Sequence, residues 1–394
     1  MNAALARARD GDERSALVVW SGIAEAPDAA AGWLVGELGA SGALAWLYDA
    51  SRDPVAATMR LAPFAPPPTI EKAVAAAERW LTRLQGADPD SDLQRAQAVG
   101  ARAVTRLDDE WPHVFGDLAD LTPFVVWVRG GGSIAGLLDR AVAVVGSRAS
   151  TAYGEHVGAE ISAGASDAGW TVVSGGAYGI DAAAHRAALT GPTPTVAVMA
   201  GGVDRLYPAG HTDLLRAVME HGAVLSEVPP GFAPHRSRFL ARNRLIAAAS
   251  VTCVVEAASR SGALNTVNHA LALGRPVAAV PGPVTSVSSA GCHALIRNGQ
   301  AVLVTGSHEV LELAGPIGPD AAREEGLGFG SAAQRAAFDA IRSRGSRADD
   351  VARGAGLGIR ETLTALAGLE MAGRARVTDG VWRRVDRSKG GQRN

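Results

Sequence analysis

Seven short apolar runs between residues 141 and 306 constrain this chain more than any other feature: AVAVVG, TVVSGG, TVAVMAGG, AVLSEVPP, VTCVVEAA, PVAAVPG and AVLVTG. Stretches with helical patterning separate them. Strands buried on both faces read as near-continuous apolar runs rather than alternating ones, and their alternation with helices indicates a parallel sheet wound by helices on both sides. Many of the runs end in Gly, Ser or Pro. In an open α/β sheet the ligand crevice lies beyond the carboxyl ends of the strands, so these turns are expected to converge on one site.

The flanks have a different texture. Residues 1–128 read as mostly helical, with WSGIAEA and AAGWLVGELGASGALAWLYDA divided from IEKAVAAAERWLTRLQ by the proline-rich APFAPPPT. Small residues such as those of GELGASGAL suit close helix packing of the SAM or helix-hairpin-helix kind, in a packing or interaction module. The Rossmann-like domain is placed at 129–316, a Gly-, Pro- and Glu-rich linker at 317–330, and a short disordered tail at 387–394. Residues 331–386 read as three helices and a hairpin, with a turn at Gly356-Leu357-Gly358. That is the order of a winged helix-turn-helix.

Composition narrows the function classes. The 394 residues carry 38 Lys and Arg against 40 Asp and Glu, a net charge of −2, so any basic surface must be local. Lys72 and Lys389 are the only lysines. Cys253 lies in an apolar run, and with Cys292 as the one other cysteine neither a disulfide framework nor a zinc site is expected. The start, MNAALARARDGDERSA, has no apolar signal core. No run approaches the roughly 18 apolar residues of a membrane span. A cytoplasmic location without membrane contact is expected.

The turns carry the chemistry. The first, Gly146-Ser147-Arg148, lacks the Gly-x-Gly-x-x-Gly of a dinucleotide fold, and the middle domain has no lysine for a Walker loop. No cofactor and no metal is therefore expected. What remains is a helix start with backbone N–H groups plus Arg148, suited to phosphate in general. The second turn offers Ser174, Gly175, Gly176 and Ala177, followed by Gly179, Asp181 and His185. Asp181 and His185 share one helix face, as an acid–base pair or as support for the glycine turns, and support is the favoured reading.

The third feature is HRSRFLARNR at 235–244, with Arg236, Arg238, Phe239, Arg242, Asn243 and Arg244. Cations that track a backbone, beside an aromatic face for a base, are the means by which single strands are held. A fourth turn places Ser261 and Gly262 at a helix start and Thr266 one turn inside. Together the turns suggest an elongated groove.

These segments, with DRLYP, LSEVPPG, AVPGPV and SAGCHALIRNGQ in the same order, resemble the DNA-processing protein A family, also called DprA or Smf. The resemblance implies a non-enzymatic protein that binds incoming single-stranded DNA during natural transformation. It further implies loading of the RecA recombinase and homodimers formed through the Rossmann-like domain. Carried over by position, Arg148 contacts phosphate, Arg236 is a basic contact and Phe239 stacks on a base. Arg242 and Arg244 would complete a basic wall, with Ser174, Gly175 and Gly176 presenting backbone. Many members carry a basic residue after Tyr-Pro, where this chain has Ala209; Arg205 is the candidate substitute. Leu295 and Ile296 are the dimer candidates. Two rivals stand beside this reading: a phosphoribohydrolase-like enzyme acting on nucleoside monophosphates, and a duplex-binding regulator working through the C-terminal domain.

Overall fold

Nine strands form one sheet: β1 (Ala101–Val104), β2 (Val126–Gly130), β3 (Ala141–Gly146), β4 (Thr171–Ser174), β5 (Thr195–Met199), β6 (Ala223–Ser226), β7 (Val251–Val255), β8 (Val277–Ala279) and β9 (Val302–Leu303). Their spatial order is β1-β2-β6-β5-β4-β3-β7-β8-β9. The computed structural model describes residues 3–315, 332–342, 345–371, 374–378 and 380–385. From β3 to β9 every pairing is parallel, while β1 and β2 join antiparallel at one edge. The chain builds β3 to β6 in one direction, then returns to lay β7 to β9 on the other side of β3. The strand order therefore reverses between β3 and β7, and the crevice beyond their carboxyl ends is where such a sheet places its ligand.

The unbroken apolar runs have a direct cause. In β3, Val142 and Val144 pack into one core with Ile161 and Trp170. Their neighbours Ala141, Ala143 and Val145 pack into another with Leu245 and Ile246. Both faces are covered, so neither needs polar residues. The run AVLVTG departs from this: its strand is only Val302–Leu303, exposed at the open edge.

Six helices precede the sheet, from Ala3–Arg9 to Pro89–Ala98. The long one, Ala29–Ala50, bends at Gly39, whose φ of 74° lies in the region that only glycine adopts freely. The next helix ends at Leu61 and the proline-rich break leads into Pro67–Leu84. Trp20, Trp46 and Trp80 are fully buried among these helices, with Trp20 and Trp80 edge-to-face at 5.2 Å. Their core is continuous with Trp127 of β2 and with Met199 and Val224 of the sheet. The expected boundary at residue 128 thus falls inside β2, and the sheet already begins at Ala101. Sequence reasoning missed β1 because ARAV is short and interrupted by an arginine.

The chain divides into two units after Ala321. In the second, helices Ala332–Ala340, Ala348–Ala355 and Ile359–Met371 surround a core of Ile341, Val351, Leu366 and Leu369. Gly356 ends the middle helix in the left-handed conformation. Strands β10 (Ala375–Thr378) and β11 (Val381–Arg384) close the unit as an antiparallel hairpin, and Ser346 bridges to Trp382. The third helix exposes Ile359, Leu363 and Met371. The linker and tail positions lie outside the described residues.

Candidate functional site

At the switch point the first turn is already satisfied from within. The Thr151 N–H and hydroxyl both donate to the Glu256 carboxylate, at 2.8 and 2.6 Å, and the Gly154 N–H donates to Thr151 Oγ1. Ala149 N–H donates to Ser147 Oγ. Glu256 is buried and sits at a φ of 55°, so the protein holds a strained backbone to keep this carboxylate in place. A phosphate at that helix start would meet an anion already bound to its donors. These donors of the expected cradle are therefore taken, and the Arg148 side chain remains exposed. Gly146 and Ser147 are half-buried beneath it.

The second turn is closed in the same way. Asp181 Oδ2 accepts from the N–H groups of Gly175 and Ala177, at 3.1 and 3.2 Å. Ser174, Gly175 and Gly176 are buried, and Ser174 Oγ donates to Val144 O. They were expected to present backbone to a strand. Instead the Gly175 N–H is taken by Asp181 and the Ser174 hydroxyl by the sheet. Gly179, with φ 77°, brings the loop against Ser147 O, where any Cβ would lie 2.2 Å away. His185 does not pair with Asp181: its Nδ1 lies 2.9 Å from Thr195 Oγ1, whose hydroxyl donates to Val172 O. The imidazole thus donates, and the acid–base pair left open by the sequence is not assembled.

The basic helix Arg236–Ala247 divides into an open start and a buried remainder. Arg242 is buried with its guanidinium over Gly175, where a Cβ would lie 2.1 Å from Nη2, and Nη1 donates to Val198 O. Burial pushes its pKa down to about 10 against the pull of Asp181. Burial likewise raises the Asp181 pKa, against the pull of Arg242. Arg244 is 1% exposed, forked onto Glu227 and bonded to Leu121 O. Asn243 donates to Asn265. Arg238 is forked onto Glu25, in the loop between the second and third N-terminal helices, at 2.7 and 3.1 Å, and stacked on Phe232. Burial works against the charge of Glu25, but Arg238, Arg83 and His235 outweigh it and its pKa lies below the usual range. Arg242 and Arg244, expected to complete a basic wall, and Arg238 on the same helix are each drawn inward to a carbonyl or carboxylate. Nothing in a one-dimensional run of arginines distinguishes those that turn inward.

What stays open is small and specific. Arg148 is exposed with no carboxylate within 4 Å among the described residues, and its guanidinium lies 5.4 Å over the Phe239 ring. Phe239 packs on Tyr207 at 5.5 Å, and Tyr207 is half exposed. Arg236, one turn before Phe239, is exposed. Arg205 is exposed beside Asp204 at 3.7 Å, two residues before Tyr207. Ser261 is half-buried and caps Ala263, Gly262 is exposed, and Thr266 is buried. Leu295 belongs to the core, while Ile296 packs against it and is half-buried. Both cysteines are buried and free, and the described residues contain no cluster able to hold a metal. No helix among them is long and apolar enough to cross a membrane.

Comparison with known proteins agrees with this architecture. The profile described as DNA recombination-mediator protein A matches residues 102–315, starting at β1 rather than at the expected boundary. A putative DNA processing protein DprA of Mycobacterium tuberculosis H37Rv is 49% identical over 308 residues, 74% of this chain and 79% of that protein. Protein Smf of Escherichia coli K12 is 43% identical over 173 residues, 43% and 46% of the two chains. The X-ray structure of DNA processing protein A from Streptococcus pneumoniae superposes with a TM-score of 0.55 at 34% identity, over 61% of this chain and 84% of that one. With the profile covering more than half of its length and a relative this similar over most of it, the chain belongs to the DNA recombination-mediator protein A family, the DprA/Smf proteins.

Proposed function

We propose that this protein binds single-stranded DNA without sequence preference and passes it to a RecA-type recombinase during DNA processing in the cytoplasm, acting as a homodimer and without catalysis. The observation that carries the reading is the open group of Arg148, Phe239 and Tyr207: an exposed cation laid against a pair of aromatic faces, with Arg236 exposed one turn away while Arg238, Arg242 and Arg244 are committed to the fold. A guanidinium binds phosphate in a fork, and an aromatic face accepts any base, so the pair suits an unstacked strand. A duplex keeps its bases stacked and offers only phosphate. The burial of Asp181 and His185 in separate hydrogen bonds supports a binding role over chemistry. For self-association, the open edge at β9, with Val302 and Leu303 exposed, supports pairing there better than the buried Leu295 does.

Equilibrium titration of dT20 and a matched duplex at two salt concentrations tests the reading. The wild type is expected to prefer dT20, with affinity falling as salt rises. Arg148→Ala should weaken binding to every single strand and shallow the salt slope by about 0.7, the value of one released counterion on a single strand. Phe239→Ala should weaken binding with the slope unchanged. Equal affinity for the duplex, or an Arg148→Ala variant indistinguishable from wild type, would overturn the proposal.

A further inference from the structure

The exposed point of the second glycine turn is a tyrosine that the reading above does not use. Tyr178 follows Gly175, Gly176 and Ala177 and precedes Gly179, and half of its surface is open. Its ring stands edge-to-face on His211 at 4.5 Å. His211 is itself buried, and its Nδ1 donates to Gly176 O at 3.1 Å. The ring is thus held from beneath by a fixed imidazole. Its flanks carry little to cover it: Gly179 adjoins it in sequence, and Gly210 lies against the hydroxyl, where a Cβ would be 2.6 Å away.

Contacts place this ring on the same face as the group already described. Gly179, the neighbour of Tyr178, abuts the backbone of Arg148. Arg148 lies over Phe239, and Phe239 packs on Tyr207. Tyr207 is three residues before Gly210, which returns to Tyr178. These contacts link the Arg148 turn to two aromatic pairs, Phe239 with Tyr207 and Tyr178 with His211.

Resting on the single-strand reading, we propose that Tyr178 on His211 is a second base-stacking platform, so that one strand is held by a base on Phe239 and Tyr207, a phosphate on Arg148, and another base on Tyr178. A fixed ring loses little freedom when a base covers it, and stacking tolerates every base because each has a π-face. A solvent-exposed tyrosine with no ligand role would need neither the bracing imidazole nor the adjoining Gly179 and Gly210.

The test uses the full chain, dT20 and an abasic strand of equal length and charge. Tyr178→Ala is expected to weaken dT20 binding about 5- to 150-fold, the range for losing one stacked base, and to leave the abasic strand unaffected. Tyr178→Phe, which keeps the ring, should bind as wild type. With the wild-type protein, a 5-iodouracil strand should photo-crosslink to Tyr178 as well as to Phe239 or Tyr207. A Tyr178→Ala variant that binds dT20 normally, or that loses the abasic strand equally, overturns the second platform while the single-strand reading stands. A wild-type protein that ignores dT20 overturns both.

Discussion

Replacing Arg242 with methionine is expected to lower the unfolding free energy by about 3–5 kcal/mol, the cost of removing one member of a buried set of opposite charges. In the protein that remains folded, the salt dependence of strand binding should be unchanged. Read from the run HRSRFLARNR alone, Arg242 looked like a phosphate contact, whose loss would flatten that dependence. The structure assigns it the opposite role. Its guanidinium fills the space over Gly175 that a side chain there would occupy, donates to Val198 O, and faces the buried charge of Asp181 around the same turn. Methionine has nearly the length of the stem but no charge, so it leaves Asp181 uncompensated. Asp181 responds by protonating more easily, and its pKa is already raised by burial. Adding Asp181→Asn should therefore recover part of the loss, because the asparagine carbonyl can still accept from Gly175 and Ala177 while carrying no charge. Urea unfolding of the two single variants and the double measures this coupling directly. Additive losses, or a flattened salt slope in Arg242→Met, would return Arg242 to the DNA surface.

How far the sequence could be read follows the same division between backbone pattern and side-chain direction. The strands of the parallel sheet were legible because burial on both faces leaves a signal in every residue, as Val142 and Ala143 show by packing on opposite sides. β1 was not legible, because an edge strand of four residues with Arg102 in it carries no such signal. In the site, the segments were found and the individual roles were not. Arg148 and Phe239, both candidates from the sequence, lie side by side, Arg148 exposed and Phe239 half-buried. Arg238, Arg242 and Arg244 stand on the same helix with the same charge, yet each meets an inward partner that is remote in the chain: Glu25, Val198 and Glu227. Spacing along a helix tells which residues share a face but not what another element will bring to it. Tyr178 was passed over for the converse reason. The glycines around it drew attention to the backbone, while the closing of that backbone by Asp181 is what leaves the ring as the part offered outward.

Acid should weaken the fold through His185 in a way that one substitution can isolate. Burial, reinforced by Arg242 and His211, pushes its pKa from 6.5 down to about 3. Because the folded protein keeps this imidazole neutral while the unfolded chain protonates near its ordinary value, the unfolded state binds more protons below pH 6.5. Stability from this group is complete above that pH and is lost as pH falls towards 3, at up to about 1.4 kcal/mol per unit. Between pH 7 and pH 5 the loss from His185 should reach roughly 2 kcal/mol. His185→Asn places an amide N–H where Nδ1 now donates to Thr195 and removes the titration. Its stability at pH 7 should fall, since it fills less of the cavity, but its decline from pH 7 to pH 5 should be shallower than that of wild type by the same 2 kcal/mol. Denaturant unfolding at the two pH values, followed by circular dichroism, compares the slopes. Asp181 contributes in the opposite sense, because burial raises its pKa and the folded state then binds its proton more tightly. Asp181 is common to both proteins, so parallel slopes in wild type and His185→Asn would show that protons reach the imidazole in the folded state.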